Sequence, residues 1–90
     1  MGNWRFLITP QAEEDLATLD PPVQRRVVER LAWFVEHFEQ VSPLPLGGKW
    51  KGIFKLRAGD WRIIYEAEPE SQRIVVHGIG NRNEIYKRRR

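Results

Sequence analysis

Large apolar residues alternate with polar ones at the start of the chain and then recur at helical spacing. Residues 4–8 are apolar at every second position, which predicts a short β-strand. Thr9-Pro10 and Asp20-Pro21 each pair a capping residue with a proline, the typical start of a helix. The second helix is predicted to extend to residue 38 and to bury one face, formed by Val23, Val27, Leu31, Phe34, Val35 and Phe38.

In the second half of the chain, apolar residues recur at every second position instead of at helical spacing. Residues 41–48 contain two prolines and two glycines and are predicted to form a loop. Strands are then predicted at residues 53–57, 61–68 and 73–80. Turns are expected around Gly59, which can take a positive φ, and at residues 69–72. This order predicts a single α+β domain over residues 1–90. Its small antiparallel sheet combines the N-terminal strand with a three-stranded meander, and the helical hairpin packs on one face.

Composition narrows the class of protein. Ninety residues, 41% of them hydrophobic and 30% charged, are typical of a small globular domain with one core. Cysteine is absent, which excludes a disulfide framework and a thiolate nucleophile. Because no apolar stretch approaches the ~18 residues that a membrane span needs, we expect no membrane partner and a cytoplasmic location.

The charges are divided unevenly along the chain. Residues 1–45 carry four basic and seven acidic side chains, whereas residues 46–90 carry eleven basic and five acidic ones. A half this basic in so small a domain indicates a polyanionic partner. Nucleic acid is the first candidate.

Alternation in the two central strands places three basic side chains on one face of the predicted sheet. Since the apolar positions of both strands should face the helices, Lys55, Arg57 and Arg62 share the opposite face. Three cations on one surface repel one another unless an anion lies between them, and an RNA phosphate is the obvious candidate. The alternative is that they are solvated and pair with Glu66 or Glu68.

Two motifs in the second half carry a resemblance to a known family. The first is Leu56-x-x-Gly59-Asp60-Trp61-Arg62-Ile63-Ile64-Tyr65, and the second is Ile79-Gly80-Asn81-Arg82-Asn83-Glu84-Ile85-Tyr86. Together they resemble the RelE/ParE superfamily, the toxins of bacterial and archaeal toxin–antitoxin pairs. The resemblance extends over the whole chain. It favours the RelE branch, because ParE chains generally lack the pair formed by Arg82 and Tyr86.

Resemblance to RelE implies a ribosome-dependent endoribonuclease that cuts mRNA in the ribosomal A site and inhibits translation. Its nucleophile is the neighbouring 2′-hydroxyl, and no metal or other cofactor is expected. Such a reaction needs a base for that hydroxyl, cations for the phosphorane and an acid for the departing 5′-oxygen. By resemblance, Lys55 and Arg62 stabilise the transition state, and Arg82 stabilises charge or protonates the leaving group. Tyr86 orients the substrate base, and Arg57 binds RNA.

Two positions depart from the RelE pattern. RelE has a second lysine two positions before the one matched by Lys55, where this chain has Ile53. Many relatives have histidine where this chain has Asn81. Lys55 is then the remaining candidate for the base, and Lys49 and Lys51 are expected to restore part of the lost charge and to contact RNA.

The resemblance also implies partners and leaves two alternatives open. A RelB-like antitoxin is expected to cover the basic face in a hetero-oligomer that binds operator DNA through the antitoxin. The ribosome and mRNA are the other expected partners. One alternative is a ParE-like inhibitor of DNA gyrase that binds without cutting. The other is a degenerate RNA-binding module that blocks the A site.

The remaining residues of chemical interest are predicted to be structural. His37 and His77 have no cysteine or histidine at metal-binding spacing. The acidic run Glu13-Glu14-Asp15 is expected to complement the dipole of the first helix. The tryptophans predicted to lie in the core or at its edge are Trp4, Trp33 and Trp61.

Overall fold

The structure is a computed structural model that describes residues 4–40, 44–45 and 52–81. Its strands are β1 (Arg5–Ile8), β2 (Leu44–Pro45), β3 (Phe54–Ala58), β4 (Trp61–Glu68) and β5 (Arg73–Asn81). Its helices are α1 (Pro10–Ala17) and α2 (Pro21–Glu36), and one turn of 3₁₀-helix follows at Phe38–Gln40. The predicted α+β class is confirmed. Within the described residues, no helix combines the length and the apolar character needed to cross a membrane.

Both helices begin where the capping residues predict. The hydroxyl of Thr9 accepts a hydrogen bond from the backbone N–H of Ala12 at 3.2 Å. Asp20 precedes α2 and Pro21 starts it, but the Asp20 side chain makes no capping hydrogen bond. The proline alone is therefore sufficient to locate this boundary, since its fixed φ suits the first helical turn. Helix α2 ends two residues earlier than predicted.

The strands form one mixed sheet in the order β1-β5-β4-β3-β2. β3, β4 and β5 make the predicted antiparallel meander. β1, in contrast, pairs in parallel with β5, so that Phe6 lies opposite Ile74. The expectation of a wholly antiparallel sheet is therefore wrong in this pair, because alternation predicts which face a side chain occupies but not the direction of the neighbouring strand. The short strand β2 lies within the predicted loop and pairs with β3.

The helices cover one face of the sheet, and the core lies between them. The predicted apolar positions of α2, β3 and β4 all belong to this core or pack against it. The largest completely buried side chains in it are Val27, Leu31, Ile63, Tyr65, Ile74, Val76 and Ile79. We call the opposite surface the open face. Its residues on β3 and β4 are Lys55, Arg57, Arg62, Ile64, Glu66 and Glu68, of which Ile64 is only 1% exposed.

Trp33 departs from the prediction for the tryptophans. Trp4 and Trp61 pack against the core as predicted. Trp33 is 43% exposed on α2, and the prediction for it is wrong. It immediately precedes the buried Phe34, at the border of the apolar stripe, where helical periodicity does not distinguish core from surface.

Candidate nucleic-acid interface

The open face holds three of the cations predicted for the site. Lys55 and Arg57 alternate along β3, and Arg62 lies on β4 directly opposite Arg57. The two-residue turn makes Ala58 and Trp61 the hydrogen-bonded pair, so the two arginines form a non-hydrogen-bonded pair with Cα atoms about 4.5 Å apart. Like charges in this position destabilise a sheet. A bound anion would remove that cost.

The carboxylates of the open face have other partners. The Nε2 atom of His77 lies 3.0 Å from Oε1 of Glu66. Arg73 donates to Oε1 of Glu68 from Nε at 3.0 Å and from Nη2 at 2.8 Å. The alternative that the three cations pair with these two glutamates is therefore wrong. In the part of the chain that the structure describes, none of the three forms an ion pair.

Arg62 is anchored on the turn between β3 and β4. Its Nη1 donates to the backbone carbonyl of Gly59 at 2.8 Å and to that of Trp61 at 3.1 Å. Gly59 has a φ of +66°, the conformation predicted for it. These bonds fix the guanidinium of Arg62 near the turn, and its other N–H groups have no acceptor among the described residues.

Strand β5 contributes backbone to the middle of the open face. Gly78 lies opposite Ile64, and Gly80 lies opposite Arg62. His77 is the extra residue of a β-bulge, where the register between β4 and β5 shifts. The bulge resets the alternation of side chains along β5. Gly78 is buried, whereas Gly80 is half-buried and places no side chain opposite Arg62, so that backbone there can lie close to a ligand.

Two arginines of α2 that were not predicted as site residues lie beside the same turn. Nε of Arg30 donates to the backbone carbonyl of Arg57 at 3.1 Å, and its guanidinium lies 4.7 Å from the centre of the Trp33 ring. A Cβ added to Gly59 would lie 3.9 Å from Nη1 of Arg26. Arg26, Arg30 and Trp33 are four and three positions apart, which places them on one stripe of helix α2. The sequence does not indicate which edge of the sheet that stripe meets.

The other predicted site residues lie outside the described part of the chain. They are Lys49, Lys51, Arg82 and Tyr86. Of the two departures from the RelE pattern, Ile53 immediately precedes β3, and Asn81 ends β5 opposite Trp61. The structure thus brings together Lys55, Arg57 and Arg62.

Cations without carboxylate partners, next to glycine backbone, can hold a phosphate group. Charge-assisted hydrogen bonds from lysine and arginine to phosphate oxygens are stronger than neutral ones. They also stabilise extra negative charge that develops on those oxygens during a reaction. The open face is therefore chemically suited to bind a phosphodiester.

Comparison with protein families gives one match. The family model described as "ParE toxin of type II toxin-antitoxin system, parDE" matches residues 6–86. No curated protein matches the sequence.

Solved structures share the fold. A chain of the toxin–antitoxin complex RelBE2 from Mycobacterium tuberculosis has a TM-score of 0.79 at 26% identity, covering 88% of this chain and 98% of that one. A chain of the archaeal RelE–RelB complex from Pyrococcus horikoshii has a TM-score of 0.71 at 22% identity, covering 90% and 97%. The isolated RelE toxin of Escherichia coli has a TM-score of 0.70 at 19% identity, covering 96% and 94%. The predicted RelE-like fold is therefore confirmed.

Proposed function

We propose a function for this chain from one premise: it belongs to the ParE toxin family of type II toxin–antitoxin systems, within the RelE/ParE superfamily. The proposed function is that of an endoribonuclease that cuts mRNA in the ribosomal A site and inhibits translation. One observation carries it. Lys55, Arg57 and Arg62 share the open face without a carboxylate partner among the described residues, while Glu66 and Glu68 are both engaged by β5.

The proposed reaction is an attack by the 2′-hydroxyl on the neighbouring phosphate. A base takes the hydroxyl proton, and the oxygen forms a bond to phosphorus. The bond from phosphorus to the 5′-oxygen then breaks, leaving a 2′,3′-cyclic phosphate on one product, and the departing oxygen takes a proton from an acid. Lys55 and Arg62 stabilise the charge on the non-bridging oxygens. No metal or cofactor takes part in the proposed step.

Further roles in this proposal rest on the family resemblance. Lys55 is the proposed base, and once protonated it is a cation beside the phosphate. Arg82 is proposed to protonate the leaving group or to stabilise its charge, and Tyr86 to stack on the adjacent base. The proposed RNA contacts outside the reacting centre are Lys49, Lys51 and Arg57.

An antitoxin is the proposed protein partner. The M. tuberculosis and P. horikoshii structures are of toxin–antitoxin complexes, the second of RelE with RelB. A RelB-like antitoxin that covers the cations of the open face would block access of RNA. The resulting hetero-oligomer is proposed to bind operator DNA through the antitoxin, and the ribosomal target implies action in the cytoplasm.

Primer extension on an mRNA in a reconstituted translation system tests the nuclease. We expect new 3′ ends within A-site codons only when ribosomes are present. Lys55→Met and Arg82→Ala should each lower cleavage by roughly 10²-fold or more. Arg25→Gln is the matched control, because it removes one positive charge from a groove lined by Leu16 and Val28 on the helices and should be dispensable. Intact mRNA in the presence of wild-type protein that is toxic to cells would contradict the proposal.

The matched family model favours one second candidate, a ParE-like inhibitor of DNA gyrase. Under this alternative, toxicity does not depend on Lys55, and purified gyrase loses supercoiling activity when the toxin is added. Equal inhibition of gyrase by wild type and Lys55→Met, with mRNA intact, would decide for it. A protein that stops translation while mRNA and gyrase activity are unaffected would instead be an A-site blocker.

A further inference from the structure

The guanidinium of Arg30 is held in place on two sides. Its central carbon, Cζ, lies over the Trp33 ring, and its Nε donates a hydrogen bond to the carbonyl of Arg57. The two Nη groups remain as donors, and they form the fork that matches two oxygens of a phosphate. Arg30 pairs with no carboxylate among the described residues. Little side-chain entropy would be lost when such a pre-positioned fork binds an anion.

The backbone carbonyl of Arg57 faces away from β4. Arg57 and Arg62 form a non-hydrogen-bonded pair, which turns this carbonyl towards the side of β3 on which β2 pairs with Phe54 and Lys55. There it accepts the hydrogen bond from Arg30, which connects helix α2 to the cationic strand.

Four arginines consequently lie at or beside the turn between β3 and β4. Arg26 lies one helical turn before Arg30 and approaches Gly59, whose carbonyl is bonded to Arg62. The acidic residue of the turn is Asp60, which is exposed and forms no ion pair in the described part of the chain. This excess of positive charge at one end of the sheet favours an anionic ligand.

We propose that Arg26 and Arg30, with Arg57 and Arg62, form a phosphate-binding track along which an RNA strand passes from the open face around the turn onto α2. That the ligand is RNA rests on the proposed function. RNA is favoured over an acidic protein segment because the track continues into flat rings. The rings of Trp33 and His37 are stacked 4.4 Å apart with an angle of 20° between their planes. Unpaired RNA bases stack on such rings, and because Arg30 already lies over Trp33, the proposed stacking surface is the outer face of His37.

The test measures binding of the full chain to a fluorescently labelled single-stranded RNA by anisotropy at several KCl concentrations. Methylated 2′-hydroxyls keep this RNA from being cut. Arg26→Gln and Arg30→Gln should each lower the affinity about three- to tenfold at low salt. Each should reduce the slope of log K against log [KCl] by about 0.7. Arg25→Gln is the matched control, since it removes the same charge from a groove lined by Leu16 and Val28.

The outcomes separate the track from the nuclease. Equal affinities and slopes for Arg25→Gln and Arg26→Gln would overturn the track. Arg26 is a suitable position because, among the described residues, it makes no hydrogen bond whose loss could unfold the protein. Displacement of the RNA by a glutamate-rich peptide with the same arginine dependence would assign the surface to an acidic protein and overturn the track. Track-dependent RNA binding without cleavage on ribosomes would support the track and contradict the nuclease. Cleavage on ribosomes by wild-type protein that does not bind the labelled RNA would contradict the track and support the nuclease.

Discussion

The carboxylate of Asp15 accepts a hydrogen bond from the backbone N–H of Ile79 across 64 positions of sequence, with 2.9 Å between Oδ2 and N. Asp15 is only 4% exposed, and its Oδ1 accepts a second hydrogen bond from Nε2 of Gln11 at 3.1 Å. β1 pairs with β5 as far as Val76. Beyond that point α1 lies beside β5, and Asp15 supplies the acceptor that a neighbouring strand would otherwise provide.

Asp15→Ala is expected to destabilise the fold by about 1–3 kcal/mol, because it leaves the N–H of Ile79 buried without this acceptor. Asp15→Asn keeps an acceptor oxygen, and its cost should be smaller. Urea unfolding monitored by circular dichroism measures both. Glu14→Ala is the control, since Glu14 is exposed and its removal should change stability by no more than about 0.5 kcal/mol. Equal midpoints for Asp15→Ala and Glu14→Ala would contradict the prediction.

Tyr65→Phe should leave stability unchanged or raise it by up to about 1 kcal/mol. The Tyr65 hydroxyl is buried, and it has no hydrogen-bond partner in the described part of the chain. Removing it eliminates an unsatisfied polar group and keeps the ring contacts with Phe34 and Phe54. Tyr65→Ala, which also removes the ring, should cost about 3–5 kcal/mol. Thermal unfolding distinguishes the two variants, and a large loss in Tyr65→Phe would show that the hydroxyl has a partner.

Stability should also fall at alkaline pH, through the same residue. Burial raises the pKa of Tyr65 above its ordinary value, because the charged phenolate is poorly solvated in the core. Because the pKa of Tyr65 is higher in the folded state than in the unfolded state, its contribution to the free energy of unfolding is complete below the unfolded-state pKa of about 10. That contribution is lost as the pH rises above this value. Unfolding free energies measured between pH 8 and pH 11 should therefore decline more steeply for wild type than for Tyr65→Phe. Parallel curves would refute this.

Arg73→Gln should raise the pKa of Glu68 towards the usual range of a glutamate. Hydrogen bonds from Arg73, and then from Ser71, hold that pKa below its usual range. The stabilisation from this pair is therefore present above the ordinary glutamate pKa and is lost as the pH falls through the lowered value. Because both side chains are substantially exposed, the effect on global stability should be small. Titration of the Glu68 carboxyl carbon by NMR measures the shift, and Ser71→Ala should produce a smaller one in the same direction.

Gly59→Ala should lower stability by about 1–2 kcal/mol, because an alanine at a φ of +66° is strained. The added methyl group would lie 3.9 Å from Arg26, an ordinary contact, so the cost comes from the backbone. Thermal unfolding is the measurement. Gly59→Asn is the comparison, since asparagine tolerates positive φ better and should unfold at a higher temperature than Gly59→Ala.

Local signals in the sequence predicted most of the fold and which three cations share the open face. Proline after a capping residue located the start of both helices, and alternation placed Lys55, Arg57 and Arg62 on one face. These signals succeed because each depends on neighbours within a few residues. The role of Asp15, in contrast, could not be predicted from such local signals. A carboxylate in the first helix suits the helix dipole in any fold, and only the position of β5 makes this one a buried acceptor.

Features that depend on how distant elements meet were not predictable from the sequence. The bulge at His77 follows from the combined register of β4 and β5. The bond from Arg30 to Arg57 depends on where helix α2 meets the edge of β3, and the two residues are 27 positions apart. An exposed arginine on a helix is common, and nothing in the sequence near Arg30 distinguishes it from Arg25.

The parallel pairing of β1 with β5 has a consequence for how the protein is made. Of the described strands β1 leaves the ribosome first, and its only partner among them is β5, which is synthesised after the other four. Pairing between such distant segments closes late and slowly. A nascent chain therefore cannot close the described sheet until β5 has been translated, so β4 lacks one of its two supporting neighbours until all five described strands have been synthesised.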